Sequence, residues 1–202
     1  MNPVNPPTSN ADLSNGWELI ADSFIEKRNP GIGLAIVKAW AESLKPGATI
    51  LDIGCGFGVA YSQFLINAGF KVCGIDASPT LIKEFQRRFP QTEAACEAAE
   101  TSSYFGRRFD GVIAIGLMFL LPEEAQLQVL QKVARALNPH GKFLFTSPLQ
   151  VCIWKDILTG RESKSLGKAV YVRAMLKEKL SLVGDYCDEG GNQYFDFVHS
   201  AS

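Results

Sequence analysis

Several things are scarce in this 202-residue chain, and each scarcity excludes something. There is no excess of basic charge, since 20 Lys and Arg stand against 21 Asp and Glu for a net charge of −1. A dedicated nucleic-acid binder usually shows a basic face, so that class is not expected. Only two histidines are present, His140 and His199, far apart and without ligand-like spacing, and no metal site is assigned. Five cysteines lie at positions 55, 73, 96, 152 and 187, none in a C-x-x-C pair. An odd, dispersed set does not read as a disulfide framework and points to a reducing, cytoplasmic setting. No apolar run approaches a membrane span. The first ten residues, MNPVNPPTSN, have neither the basic start nor the apolar centre of a signal peptide, and they read as a mobile arm. No internal repeat is visible.

What is present is enough apolar residue, 47%, to build a globular core over the whole length, so a single domain spanning 1–202 is expected. The chain centres on Thr49-Ile50-Leu51-Asp52-Ile53-Gly54-Cys55-Gly56-Phe57-Gly58. A short apolar run ends in an acid, three glycines follow at alternate positions, and a helical pattern starts at Val59. This reads as strand, loop and helix. Glycines let the backbone turn tightly and let a ligand approach without Cβ interference. A helix N-terminus beyond the loop suits an anionic ligand group. A dinucleotide fingerprint would put a third glycine at position 59, where Val59 stands, and so an NAD-type oxidoreductase is disfavoured.

The flanking patterns alternate. Helices fit 12–27, with Leu13, Trp17, Ile20 and Phe24 on one stripe, and 32–44. That first stripe suits plain packing, or a lid with Trp17 or Arg28 reaching over a ligand. Together, residues 11–44 form an N-terminal helical or lid segment ahead of a core at 48–147. Strands are predicted at 48–53, 71–76, 92–96, 109–115 and 142–147, separated by helices at 59–68, from Ser78-Pro79 to Pro90, and from Pro122 to Leu137. Ser78 reads as an N-cap and Pro79 as a first helical residue. Asn138-Pro139-His140-Gly141 reads as a turn, and 148–167 carries no clear pattern. A helix at 168–179 and strands at 181–187 and 193–199, joined by a turn at 188–192, complete a variable cap over 148–202. Alternating strands and helices imply a doubly wound α/β fold. The closing hairpin requires one antiparallel strand near the C-terminal edge.

These motifs, in this order, resemble class I S-adenosylmethionine-dependent methyltransferases. Asp52 to Gly58 is similar to the family's glycine motif, Asp76 to the acid ending its second strand, and Glu97-Ala98 to the pair after its third. Phe109-Asp110-Gly111-Val112-Ile113 looks like its fourth-strand motif, and Leu137 to Lys142 like the turn before strand five. The resemblance implies a Rossmann-like, seven-stranded, mainly parallel sheet of order 3-2-1-4-5-7-6. It also implies S-adenosyl-L-methionine as cofactor, with S-adenosyl-L-homocysteine as product. The cofactor-binding residues it implies are Asp52, Gly54, Cys55, Gly56 and Gly58, then Asp76, Ala77 and Ser78, then Glu97, Ala98, Ile115 and Leu117. Asp76 would accept hydrogen bonds from a ribose diol. Asp52 would brace the loop or meet the cofactor's ammonium through water. Glu97 is longer than the family's usual Asp.

Acceptor-lining candidates are Trp17, Arg28, Trp154, Tyr171, Glu189, Asn192 and Tyr194, each equally compatible with packing or surface roles. The sequence shows no catalytic dyad, and displacement at an activated sulfonium methyl needs none. The DNA-methylating signatures, Asn/Asp-Pro-Pro-Tyr after strand four and a Pro-Cys pair, are lacking. The expectation is therefore methyl transfer to a small-molecule acceptor, as monomer or homodimer. A non-catalytic module that binds the cofactor is the alternative.

Overall fold

A computed structural model describes residues 12–27 and 31–200. The expected mobile arm and Arg28 lie outside the described residues. Two helices come first, α1 (Trp17–Lys27) and α2 (Leu34–Glu42). Alternation follows: β1 (Thr49–Ile53), α3 (Tyr61–Asn67), β2 (Lys71–Asp76), α4 (Pro79–Arg88), β3 (Glu93–Cys96), β4 (Phe109–Ala114), α5 (Glu123–Ala136) and β5 (Leu137–Thr146). The last part holds β6 (Val151–Lys155), β7 (Glu162–Leu166), α6 (Lys168–Lys177), β8 (Leu180–Cys187) and β9 (Gln193–His199).

Seven strands form one sheet in the order β3-β2-β1-β4-β5-β9-β8. Counting only these seven along the chain gives the expected order 3-2-1-4-5-7-6. The labels shift because β6 and β7 form a separate antiparallel hairpin that the sequence did not announce. β9 runs antiparallel to both neighbours, and the other contacts of the main sheet are parallel. Alternate residues of β1 bury on opposite faces. Ile50 packs with Val37 and Trp40 of α2, while Leu51 and Ile53 pack with Val129, Leu130 and Val133 of α5. Helices therefore cover both faces, as the continuous apolar strands require. No helix among the described residues is long and apolar enough to cross a membrane.

Two boundaries differ from expectation for local reasons. Residues 13–16 form turns, and α1 starts only at Trp17. The Asp12 carboxylate accepts from Ser14 N at 3.0 Å and Gly16 N at 2.7 Å, a side-chain turn that competes with helix. The Asn138–Gly141 turn lies inside β5 rather than before it. His140 takes φ +63°, and the β4 pairing skips from Phe109↔Leu137 to Gly111↔Lys142 across that loop. Asp110 holds the loop, accepting from Asn138 Nδ2 at 3.0 Å, Thr49 N at 2.9 Å and Lys45 Nζ at 2.9 Å.

Candidate active site

β1 and β4 are neighbours, and the crevice opens beyond their carboxyl ends, where strand order reverses. The glycine loop and the end of β2 meet there. The glycine loop is tied down first, with Gly54 N and Cys55 N both donating to Ile75 O at 2.8 and 3.0 Å. Asp76, at the end of β2, then accepts from Gly56 N and from Ser78 N, each at 2.9 Å, one on each carboxylate oxygen. Burial raises its pKa despite those two bonds. Each oxygen keeps a further lone pair for a ligand hydroxyl.

The glycines do different work. Gly56 has φ +55°, and a Cβ there would meet only a Phe24 ring atom at 3.9 Å, so its open side faces the crevice. Gly58 has φ +81°, and a Cβ there would sit 2.5 Å from Phe89 and 2.9 Å from Phe85. Its role is packing of the loop onto α4. Cys55 is also turned inward, with its Sγ 2.8 Å from where a Cβ on Gly74 would lie.

A cavity of about 290 Å³ occupies the crevice. Of the residues singled out from the sequence, Asp52, Gly54, Gly56, Asp76, Ala77, Glu97, Ile115 and Leu117 line it, and so does Trp17. Cys55, Gly58, Ser78 and Ala98 do not border it. Ser78 caps α4, accepting from Leu81 N at 3.2 Å. Ala98 is buried, and at the third strand's exit Ala99 and Glu100 take the lining position beside Glu97. Asp52 is 3% exposed and accepts from Ser62 Oγ at 2.6 Å, so its loop-bracing contact coexists with its place on the cavity wall.

The N-terminal helix covers this crevice. Phe24 meets Trp17 edge-on at 4.9 Å and Phe57 at 5.8 Å. Glu18 pins α1 to the start of α4, accepting from Ser78 Oγ, from Thr80 Oγ1 at 2.6 Å and from Thr80 N at 3.2 Å. Burial alone would raise the Glu18 pKa, but these bonds outweigh it and the net shift is downward.

A second cavity of about 400 Å³ adjoins the first and shares Phe24, Tyr61, Ile115, Gly116, Phe119 and Leu158 with it. Asn192 and Tyr194 line this second space. The turn carrying them is held by Asp188, which accepts from Gly190 N at 2.9 Å, Asn192 N at 2.8 Å, Asn192 Nδ2 and Tyr194 Oη at 3.0 Å. Burial, then the neighbouring Tyr61 and Asp188, raise the Tyr194 pKa, which keeps the phenol protonated. Glu189 borders neither cavity and instead accepts from Gly33 N at 3.2 Å. Trp154 acts one layer back, with its ring 5.5 Å from that of Phe119. Tyr171 is fully buried away from both cavities, in a network with Gln126, Ser147 and Leu166 N at 2.7, 2.8 and 3.0 Å.

The sequence reading missed Glu18, Tyr61, Ser62, Phe119 and Thr146. Thr146 had a signal, since it ends β5 as Asp52 and Asp76 sit at the ends of theirs, and strand ends open on the ligand side. Tyr61 and Ser62 begin the helix after the glycine loop. That helix has seven residues and starts two positions later than expected.

Residues 50–141 match the family described as "Methyltransferase domain". A Streptomyces protein named cypemycin N-terminal methyltransferase is 36% identical over 118 residues, covering 56% of this chain and 46% of that protein. This chain thus matches about half the length of such a relative. Among solved structures, the Burkholderia thailandensis 1,6-didemethyltoxoflavin-N1-methyltransferase, with bound 1,6-didemethyltoxoflavin and S-adenosylhomocysteine, superposes with a TM-score of 0.72 at 16% identity. It covers 99% of this chain and 93% of its own. The magnesium protoporphyrin IX methyltransferase of Synechocystis PCC 6803, with bound SAM, gives 0.66 at 18% identity, covering 97% and 87%. Residues 50–141 thus match a methyltransferase domain, and the chain as a whole shares the fold of these two solved methyltransferases.

Proposed function

We propose that this protein binds S-adenosylmethionine in the smaller cavity and catalyses methyl transfer to a small molecule held in the larger one. The observation that carries the reading is the junction of the two spaces. Asp76 and the open side of Gly56 border one space, Asn192, Tyr194 and Thr146 border the other, and Phe24, Tyr61 and Gly116 border both or lie between them. An adjoining acceptor space favours an enzyme over a binding module.

The residues fit the cofactor. Asp76 has acceptor capacity left for ribose hydroxyls, and Gly56 leaves room that a side chain would fill. Leu117 and Ile75 would supply apolar surface for the cofactor's base, in a cavity that Glu97 and Ala99 also line. When bound, the cofactor supplies a methyl group on a positively charged sulfur. The chain's own contribution is positioning and dryness. Phe24, Ile115, Phe119 and Leu158 wall the shared junction with apolar groups, which excludes water as a competing nucleophile. Alignment of an acceptor atom with the methyl is what such a wall can contribute to rate. We place the enzyme in a reducing compartment, on its dispersed, unpaired cysteines.

Thermal unfolding with S-adenosylmethionine, S-adenosylhomocysteine and NAD in turn tests the reading. A ligand at 100 times its dissociation constant adds about 2.7 kcal/mol, a rise of several degrees for a chain this size. Stabilisation by both sulfur ligands and not by NAD is the expected result. No stabilisation by either sulfur ligand would refute it.

A further inference from the structure

The larger cavity is built with a chemical bias. Its walls are mainly apolar, from Ile20, Phe24, Ile32, Ile115, Phe119 and Leu158. Its polar lining comes from Ser23, Lys27, Tyr61, Thr146, Asn192 and Tyr194. Among the described residues, no Asp or Glu lines it, and Lys27 is the one charged group that does.

Much of this polar capacity is used by the protein itself. Tyr61 Oη donates to Ile32 O at 2.9 Å. Tyr194 Oη and Asn192 Nδ2 both donate to Asp188. That carboxylate is 8% exposed and does not reach the cavity wall, and its charge is balanced by four donor groups of its own turn. Three groups keep hydrogens to give. Thr146 Oγ1 accepts from Gly116 N at 2.7 Å, which orients the hydroxyl and leaves its proton to donate. Ser23 and Lys27 sit on the same face of α1 as Ile20 and Phe24, at i, i+3, i+4 and i+7 from Ile20. Both are exposed yet line the cavity, which puts them at its rim. Among the described residues Lys27 makes no ion pair.

We infer that the acceptor has an apolar, ring-sized body and carries an anionic group, which Lys27 binds at the cavity rim. This rests on the methyltransferase reading above and deepens it. An apolar interior takes the body of the molecule. A cation at the rim and hydroxyl donors at Ser23 and Thr146 take its negative or acceptor atoms. A cationic acceptor would meet Lys27 with no acid among the described lining residues to offset it. The side-chain amide oxygen of Asn192 is left for an N–H or O–H of the same molecule.

Binding of four naphthalene probes to the full chain, saturated with S-adenosylhomocysteine, tests this. The probes are 2-naphthoate, 2-naphthyl phosphate, neutral 2-naphthamide and cationic 2-naphthylmethylamine. At least one anion should bind tenfold or more tighter than the amide, and the amine should bind weakest. The tighter anion identifies a carboxylate or a phosphate preference. Lys27→Met should bring that anion to within threefold of the amide, while Lys27→Arg keeps the preference. Titration of S-adenosylhomocysteine alone is the separate control, since Lys27 does not line the cofactor cavity. Normal binding of that ligand with no anion preference, with no probe bound, or with a preference unchanged in Lys27→Met overturns the inference and spares the cofactor assignment. Failure of that ligand to bind overturns both.

Discussion

Alanine at Gly56 and alanine at Gly58 make the same chemical change two residues apart, and the structure assigns them opposite consequences. Both positions have positive φ, +55° and +81°, which costs an alanine about 1 kcal/mol at each. At Gly56 the new methyl meets open space, with its nearest neighbour a Phe24 ring atom at 3.9 Å. Gly56→Ala should therefore lose about 1 kcal/mol and no more. At Gly58 the methyl would lie 2.5 Å from Phe89 and 2.9 Å from Phe85, a buried α4 side chain whose ring meets that of Phe89 at 5.2 Å. Overpacking of this kind adds about 1–3 kcal/mol, so Gly58→Ala should lose roughly 2–4 kcal/mol. Ligand binding should order the other way. The space at Gly56 belongs to the proposed cofactor, so S-adenosylhomocysteine affinity should fall at least 100-fold in Gly56→Ala, whereas folded Gly58→Ala should bind it within tenfold of the parent. Urea unfolding gives the first quantity and isothermal titration at low temperature the second. If Gly56→Ala binds the ligand within threefold of the parent, or Gly58→Ala is no less stable than Gly56→Ala, the division of labour argued for the loop is wrong.

Glu18→Ala removes the acceptor that holds α1 to Ser78 and Thr80 while leaving the Ser78 cap on Leu81 N intact. Loss of such charge-assisted bonds at a partly solvated site is worth about 1–2 kcal/mol, and the affinity for S-adenosylhomocysteine should drop about tenfold as the cover opens. Unchanged affinity would mean that α1 is not a cover. Asp110 is held down to about 2 because its hydrogen bonds from Thr49, Lys45 and Asn138 outweigh a burial effect that would raise it. A carboxyl with a depressed native pKa stabilises above its unfolded pKa and loses that contribution as pH falls through its folded one. Asp110→Asn should therefore cost about 2 kcal/mol at neutral pH, with the gap to the parent narrowing below about pH 4 and closing near pH 2 in urea titrations. Tyr171→Phe strips a hydroxyl from the buried Gln126, Ser147 and Leu166 network, which should cost about 1–3 kcal/mol of stability. Its affinity for S-adenosylhomocysteine should not change, and a large loss would place Tyr171 nearer the site than the structure does.

Much of the frame could be read from residue order because local chemistry set it. The run Thr49–Ile53 is too short and apolar to be anything but a buried strand, and Ser78-Pro79 caps and starts α4 as its side-chain chemistry dictates. The hairpin β6–β7 escaped because its alternation carries the opposite sense. Val151 and Ile153 are 71% and 60% exposed, while across the strand pair Cys152 and Trp154 face Ser165 and Ser163. A period of two in which apolar groups meet solvent does not announce a strand packed on a core.

The sequence by itself determined the α/β alternation, the reversed strand near one edge and the acids and glycines that end β1 and β2, because strand ends and turns depend on neighbours a few residues away. The tertiary structure alone decided which of those residues share a surface. Gly56 and Gly58 look alike in a string and differ only in whether α4 lies against them. Tyr171 and Tyr194 were equal candidates until packing sent one into a core network and set the other on a cavity wall. Glu18 meets Thr80 and Lys27 meets the space beside Thr146 through contacts more than sixty residues apart in the chain, a separation over which periodicity and spacing carry no information.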